Sequence, residues 1–110
     1  AGGSERLELL KAIGGNTIRT WGIDQLGRRE NGKTLLDRCD ELGLTVMAGI
    51  WVEHERHGFD YSNPEDVRRQ RETVRAAVRA HKHHPAILLW GLGNEMEGPT
   101  SDGRDPRIWR

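Results

Sequence analysis

Apolar positions along this chain fall in clusters whose spacing switches between helical and extended. Leu7, Leu10 and Ile13 recur at helical spacing behind Ser4, a residue that can cap a helix, and Gly14-Gly15 closes the segment. Asn16 to Trp21 is rich in β-branched and aromatic residues and predicts a strand. The polar stretch from Gly22 to about Lys33 predicts a loop. Leu35, Leu36, Cys39 and Leu42 mark a second helix, with Gly43 where a left-handed C-terminal residue is wanted. Leu44 to Val52 is nearly continuously apolar, which suits a strand buried on both faces of a parallel sheet. Ser62-Asn63-Pro64-Glu65 then combines capping side chains, an early proline and an acid that meets the helix dipole. The helix it starts runs to about His81, with Val67, Val74, Ala77 and Val78 on one face. Pro85 stops further winding, and Ala86 to Trp90 predicts a third buried strand. Gly98 to Arg110 reads as a loop with a helix start at Pro106.

Helices and buried strands alternate, so the pattern predicts an α/β fold with parallel strands and right-handed crossovers. Three strands leave apolar edges uncovered, whereas a complete barrel of this type takes ~250 residues. The expectation is a partial (β/α)8 TIM barrel with residues 1–110 as one incomplete domain. Its open sheet edges are candidates for self-association.

Composition narrows the partners. Seventeen basic residues balance seventeen acidic ones, and no block of Lys/Arg stands free of acids, so nucleic acid is not an expected partner. The most basic stretch, Arg68 to Lys82, falls on a helix and reads as its solvated face. No apolar run approaches the ~20 residues of a membrane span, and Ala1-Gly2-Gly3-Ser4 lacks the features of a signal peptide. Cys39 is the single cysteine and falls on an apolar helix face, which makes it a core residue. His54-Glu55-Arg56-His57 is one residue short of a His-Glu-x-x-His zinc motif and follows a strand. His81, His83 and His84 precede a strand, on the face opposite the strand ends, and read as structural. No metal and no cofactor are expected.

In parallel α/β folds the chemistry collects at the carboxyl ends of strands. Those positions hold Arg19 and Trp21, then Trp51, Glu53, His54, Glu55 and His57, then Trp90, Asn94, Glu95 and Glu97. An indole offers a flat apolar face to the C–H face of a sugar ring, and three of the four tryptophans lie in this set; core packing is the competing reading for each. Glycoside hydrolysis needs two carboxyl groups, one to protonate the leaving oxygen and one to attack or to activate water. Glu95 is the candidate acid/base, and Asn94 can hold a sugar hydroxyl beside the reacting carbon. Glu53, Glu55 or Glu97 would serve as the second carboxylate only at a separation of about 5–5.5 Å across the sugar.

The segment His84-Pro85-Ala86-Ile87-Leu88-Leu89-Trp90-Gly91-Leu92-Gly93-Asn94-Glu95 resembles the fourth-strand motif of family 2 glycoside hydrolases, the β-galactosidase and β-glucuronidase group. That family reads His-Pro-Ser-Ile-Ile-x-Trp-Ser-Leu-Gly-Asn-Glu there. Asn16-Thr17-Ile18-Arg19 is similar to its second strand, Leu36 to Met47 to the next helix and third strand, and Glu55-Arg56-His57-Gly58 to its Glu-Thr-His-Gly. The resemblance implies a fragment around strands 2 to 4 of the barrel and a retaining mechanism through a glycosyl-enzyme intermediate. By implication Glu95 is the proton donor, Asn94 binds substrate, and Arg19 and His57 line the site. Trp21, Trp51 and Trp90 complete the set expected around a carbohydrate substrate. The family's nucleophile, a glutamate on the seventh strand, falls outside this chain. Trp21-Gly22 replaces the family's Ser-His-Tyr-Pro, and Gly91 replaces its serine. Other retaining barrels share the Arg and Asn-Glu positions, so a barrel glycanosyltransferase and a non-catalytic glycan-binding barrel are the alternatives.

Overall fold

The computed structural model describes residues 4–96 of the chain. The elements in order are α1 (Ser4–Ala12), β1 (Thr17–Arg19), α2 (Ile23–Gly27), β2 (Arg29–Glu30), β3 (Lys33–Thr34), α3 (Leu35–Glu41), β4 (Thr45–Ile50), a 3-10 turn (Glu55–His57), α4 (Pro64–His81) and β5 (Ile87–Leu92). No described helix is long and apolar enough to cross a membrane.

Two helix-to-strand junctions use one backbone device. After α1, Gly14 adopts φ +92°, and the amides of Gly14 and Gly15 return to the carbonyls of Lys11 (3.0 Å) and Leu10 (2.8 Å). After α3, Gly43 adopts φ +66°, and the amides of Gly43 and Leu44 return to Asp40 (3.0 Å) and Cys39 (2.8 Å). Both closures satisfy carbonyls that a helix end leaves open, and both need a residue free of the Cβ penalty. Lys11 Nζ joins the two ends by donating to the Gly43 carbonyl (3.3 Å). The chain thus enters β1 and β4 side by side and in one direction.

Three parallel strands form the main sheet in the order β1-β4-β5. Thr17 pairs with Thr45 and Arg19 with Met47, and on the other side Ala48 pairs with Trp90 and Ile50 with Leu92. Between the pairs Val46↔Ile87 and Met47↔Leu89 the register slips, leaving Leu88 as the extra residue of a bulge. Leu26, Leu36, Cys39, Leu44, Val46, Ala48 and Ala86 form the buried core on the helix side, with Ile18, Ile87 and Trp90 packed against it. Burial pushes the Cys39 thiol up to about 11, as a core residue requires. By the strand period of two, Arg19, Met47, Gly49, Leu89 and Gly91 occupy the other face.

Three expectations need correction. The stretch from Gly22 to Lys33 is not a plain loop. Its helix α2 buries Leu26 completely, and the Gln25 side chain accepts from the Trp21 (2.6 Å) and Gly22 (3.3 Å) amides. The following β2–β3 hairpin turns on Asn31 (φ +51°) and Gly32 (φ +79°), the two left-handed positions of a type I′ turn. Asn-Gly was the available signal. Secondly, β5 is not buried on both faces, because it lies at a sheet edge with β4 as its neighbour; Leu88 and Leu92 are 59% and 63% exposed. Thirdly, Ile13 lies in the turn after α1 and is exposed. Helix α4 follows its start signals, with Asn63 Oδ1 accepting from the Glu65 amide (3.0 Å) and Pro64 at the first position. The expected loop and helix start beyond Gly98 lie outside the described residues.

Asp37 joins α3 to the entry of β5. It exchanges capping bonds with Thr34 (3.1 and 3.2 Å) and accepts from His84 Nε2 at 3.0 Å, while His84 Nδ1 accepts from the Ala86 amide (3.2 Å). The His84 hydrogen bond, followed by those to Thr34, holds the Asp37 carboxyl at about 2 rather than 3.8. A depressed carboxyl stabilises the fold above its ordinary range and loses that contribution as the pH falls toward about 2. His84→Ala should therefore raise the Asp37 titration toward 3.8, read by carboxyl NMR. The melting difference between wild type and variant should shrink over the same pH window; an Asp37 still titrating near 2 in the variant would exclude His84 as the cause.

Candidate active site

The site begins where β1 leaves the sheet. Thr20 continues the pairing with its amide on the Met47 carbonyl (3.1 Å), and its buried Oγ1 accepts from the Gly49 amide (3.0 Å). The chain passes so close over β4 that a Cβ on Gly49 would lie 2.0 Å from the Thr20 carbonyl oxygen. Glycine is required there by space, not by dihedral angle. The crossing delivers Arg19 and Trp21 to the rim formed by the strand ends.

On the far side of β4, the Gly93 amide bonds to the Ile50 carbonyl (2.9 Å), and Gly93 turns at φ +68°. A Cβ on Gly93 would meet the buried Met96 side chain at 2.9 Å, so Met96 forms the support beneath the turn. The turn projects Asn94 toward β1, where Arg19 Nη2 donates to Asn94 Oδ1 at 2.7 Å. That bond spans the whole sheet. With Oδ1 engaged, Asn94 Nδ2 is the amide group that can donate to a ligand hydroxyl. Glu95 follows at φ +49°, a left-handed conformation unusual for a residue with a side chain, and is exposed at the rim.

Between these two arms lies the segment after β4. Trp51 and His54 stack with ring centroids 5.2 Å apart and planes 22° from parallel, and His54 meets His57 at 5.2 Å and 31°. His54 is 2% exposed, and its Nε2 has no hydrogen-bond partner among the described residues. Burial, then the neighbouring Arg56 and His57, hold its pKa below the ordinary imidazole value; a hydrogen bond with the Asn94 backbone and the charge of Glu53 act the other way. The base of the segment is clamped to α4. Gln70 Oε1 accepts from the Glu53 amide (2.8 Å), Tyr61 Oη donates to the Glu53 carbonyl (2.6 Å), and Gln70 Nε2 donates to Tyr61 Oη (3.2 Å). Burial also raises the Tyr61 phenol, keeping it protonated as that donor.

The residues singled out in the sequence divide into two groups. Arg19, Asn94 and Glu95 meet at one rim. Trp21, 59% exposed, has its ring centroid 6.0 Å from the Arg19 guanidinium carbon, and Trp51 is 39% exposed beside His54. His57 is exposed at the end of the 3-10 turn, in ring contact with His54. Trp90 lies elsewhere: β5 continues to Leu92, so Trp90 sits inside the strand opposite Ala48 and packs against the core. Core packing, not the rim, accounts for that indole. Glu97 lies outside the described residues. His54 is buried in the segment after β4, beyond the strand that ends at Ile50, so the strand pattern carried no signal of its burial. Thr20, Gly49, Tyr61 and Gln70 carried no local signal, because their roles depend on distant partners. Among the described residues no group of three or more His, Cys, Asp and Glu is placed to hold a metal ion.

Comparison with known proteins places this geometry. Residues 5–106 match the family model of the glycosyl hydrolases family 2, TIM barrel domain. The chain is 33% identical over 103 residues to a β-galactosidase of Arthrobacter sp. strain B7, covering 86% of this chain and 9% of that protein. It is 32% identical over 98 residues to a β-mannosidase of Rattus norvegicus, covering 86% and 10%, and 28% identical over 90 residues to a β-glucuronidase of Mus musculus, covering 79% and 12%. The chain spans about a tenth of the length of the curated relatives it matches.

Gly49→Ala should push the Thr20 carbonyl off β4 and break the Arg19–Asn94 bond. Overpacking against backbone costs about 1–3 kcal/mol, which urea denaturation would measure. An unchanged midpoint would mean that the crossing is looser than its geometry.

Proposed function

This chain belongs to the family 2 glycosyl hydrolases, within their TIM barrel domain, and on that premise we propose that it carries the acid/base side of a retaining glycosidase site. The observation that supports this most is the 2.7 Å bond from Arg19 to Asn94, which orients the amide next to Glu95 from across the sheet. In this reading residues 1–110 are an incomplete barrel domain, about strands 2 to 4. Further strands of the barrel, or a second copy, cover the open edges at β1 and β5.

Glu95 donates its proton to the glycosidic oxygen as the bond to the anomeric carbon breaks. A carboxylate from another part of the enzyme attacks that carbon and forms the glycosyl-enzyme intermediate. Glu95, now a base, takes a proton from water, whose oxygen displaces the carboxylate; two inversions give net retention. Asn94 Nδ2 donates to a sugar hydroxyl next to the reacting carbon, and Arg19 fixes the amide so that little is lost in orienting it. Trp21 and Trp51 offer exposed indole faces to sugar rings, and His57 lines the same rim. The left-handed backbone at Glu95 fits this role, since a non-glycine residue held there costs of order 1–3 kcal/mol and such positions cluster at functional sites. The relatives carry the names of a galactosidase, a mannosidase and a glucuronidase, so the reading stops at the class of β-glycoside.

Glu95→Gln in the complete enzyme should reduce turnover of glycosides with poor leaving groups by roughly 10²–10⁴-fold, the usual worth of a general acid. Glycosides of acidic phenols, which leave without protonation, should keep their rate in the first step. Steady-state and burst kinetics on a phenol series measure both. Equal loss across the series would remove Glu95 from the acid role, and glycan binding without turnover in the wild type would favour a non-catalytic barrel.

A further inference from the structure

The less exposed side of α4 carries Val67, Gln70, Val74, Ala77 and Val78 at helical spacing. Gln70 is the amide in this otherwise apolar stripe. Its two polar atoms close a circuit of three hydrogen bonds. The Glu53 amide donates to Gln70 Oε1 (2.8 Å), Gln70 Nε2 donates to Tyr61 Oη (3.2 Å), and Tyr61 Oη donates to the Glu53 carbonyl (2.6 Å). Turning the Gln70 amide over would set donor against donor at Glu53, so the circuit admits one orientation. Tyr61 is itself buried and rests on Phe59, with ring centroids 4.7 Å apart. An apolar side chain at position 70 would continue the stripe but leave the Glu53 amide and the Tyr61 hydroxyl without these partners.

We propose that Gln70 is a positioning residue for substrate binding, holding through Glu53 the rim segment that presents Trp51 and His57. The proposal rests on the reading given above, in which those two side chains contact the sugar. Strand β4 ends at Ile50, whose carbonyl still accepts from Gly93, and the chain then leaves the sheet. Glu53 is where α4 takes hold of it, on both backbone groups at once. The next residue, His54, stacks on Trp51 on one side and meets His57 on the other, each at 5.2 Å. A displacement of Glu53 therefore carries the middle ring of that row with it, and the two outer rings follow. Gln70 and Tyr61 occupy the place of a neighbouring strand, pairing one residue of a segment that has no strand partner there. Gln70 stands 17 positions from Glu53 and touches the rim only through its main chain.

The test compares Gln70→Met, Gln70→Glu and Tyr61→Phe with wild type in the complete enzyme. Gln70→Met should raise KM for a glycoside by about tenfold, the weight of one oriented contact, and leave kcat within about twofold. Gln70→Glu keeps an acceptor for the Glu53 amide and should recover part of that loss. Tyr61→Phe removes one oxygen, keeps the ring against Phe59, and should raise KM in the same direction even where Gln70→Met folds poorly. Combining Gln70→Met with Trp51→Ala should raise KM by less than the product of the separate effects, because both act on one contact. Hydrogen exchange of residues 51–57, followed by mass spectrometry, should quicken in the methionine variant and return toward wild type in Gln70→Glu. KM effects that multiply, or a lowered melting temperature with KM unchanged, would reduce Gln70 to a structural residue and overturn the proposal. Unchanged exchange would overturn it as well, since the segment would then not depend on the clamp. A Trp51→Ala enzyme with wild-type KM would defeat the sugar-contact reading itself, while the exchange data would still decide whether Gln70 holds the segment.

Discussion

Pairing of β4 with a parallel neighbour on each side is the interaction on which the rest of this structure depends. Parallel strands cannot be joined by a tight turn, so the connections from β1 to β4 and from β4 to β5 must pass over the sheet. The first does so through α2, the small hairpin and α3; the second uses the long helix α4. Leu26, Leu36 and Cys39 descend from the first crossover onto Leu44, Val46 and Ala48, which gives the core its location on the helix side of β4. The Asp37–His84 bond then links that crossover to the entry of β5.

Register on β4 also determines what reaches the rim. The extra residue at Leu88 changes the phase of β5, so that Trp90 follows Ala48 toward the core and Gly91 falls beside Gly49. A slip of one residue exchanges the two faces of a strand. Without the bulge, Trp90 would share the face of Arg19. Gly91 stands where the related motif has serine, and a Cβ there would come within 3.1 Å of Met47 Cε. The methionine occupies the space that the missing hydroxymethyl group would need.

The rim combines positions that the fold holds at some expense. Glu95 adopts a left-handed backbone, His54 is buried with an unpaired nitrogen, and Gly49 admits a neighbouring chain at less than normal contact distance for a side chain. The first two would be easy to relieve by a different residue if stability were the sole requirement. Their convergence around Arg19 and Asn94 is consistent with orientation of a carboxyl group and an amide toward a bound sugar, where preorganisation lowers the barrier.

Local order was legible in the sequence because each signal acts within a turn or two of its own residue. The glycine at position 43, the Asn63-Pro64 helix start and the apolar run at 45–50 specify their elements through capping and period, whatever surrounds them. The Asn-Glu pair after a strand was legible for the same reason. Tertiary structure alone decided which of these features meet. Arg19 and Asn94 are 75 positions apart, and their bond depends on two crossovers and a bulge. The rings of Trp51 and His57 pack on the buried His54, and the placement of Trp90 depends on register. Hydrophobic period shows that a residue is to be buried; only the packed sheet determines against what.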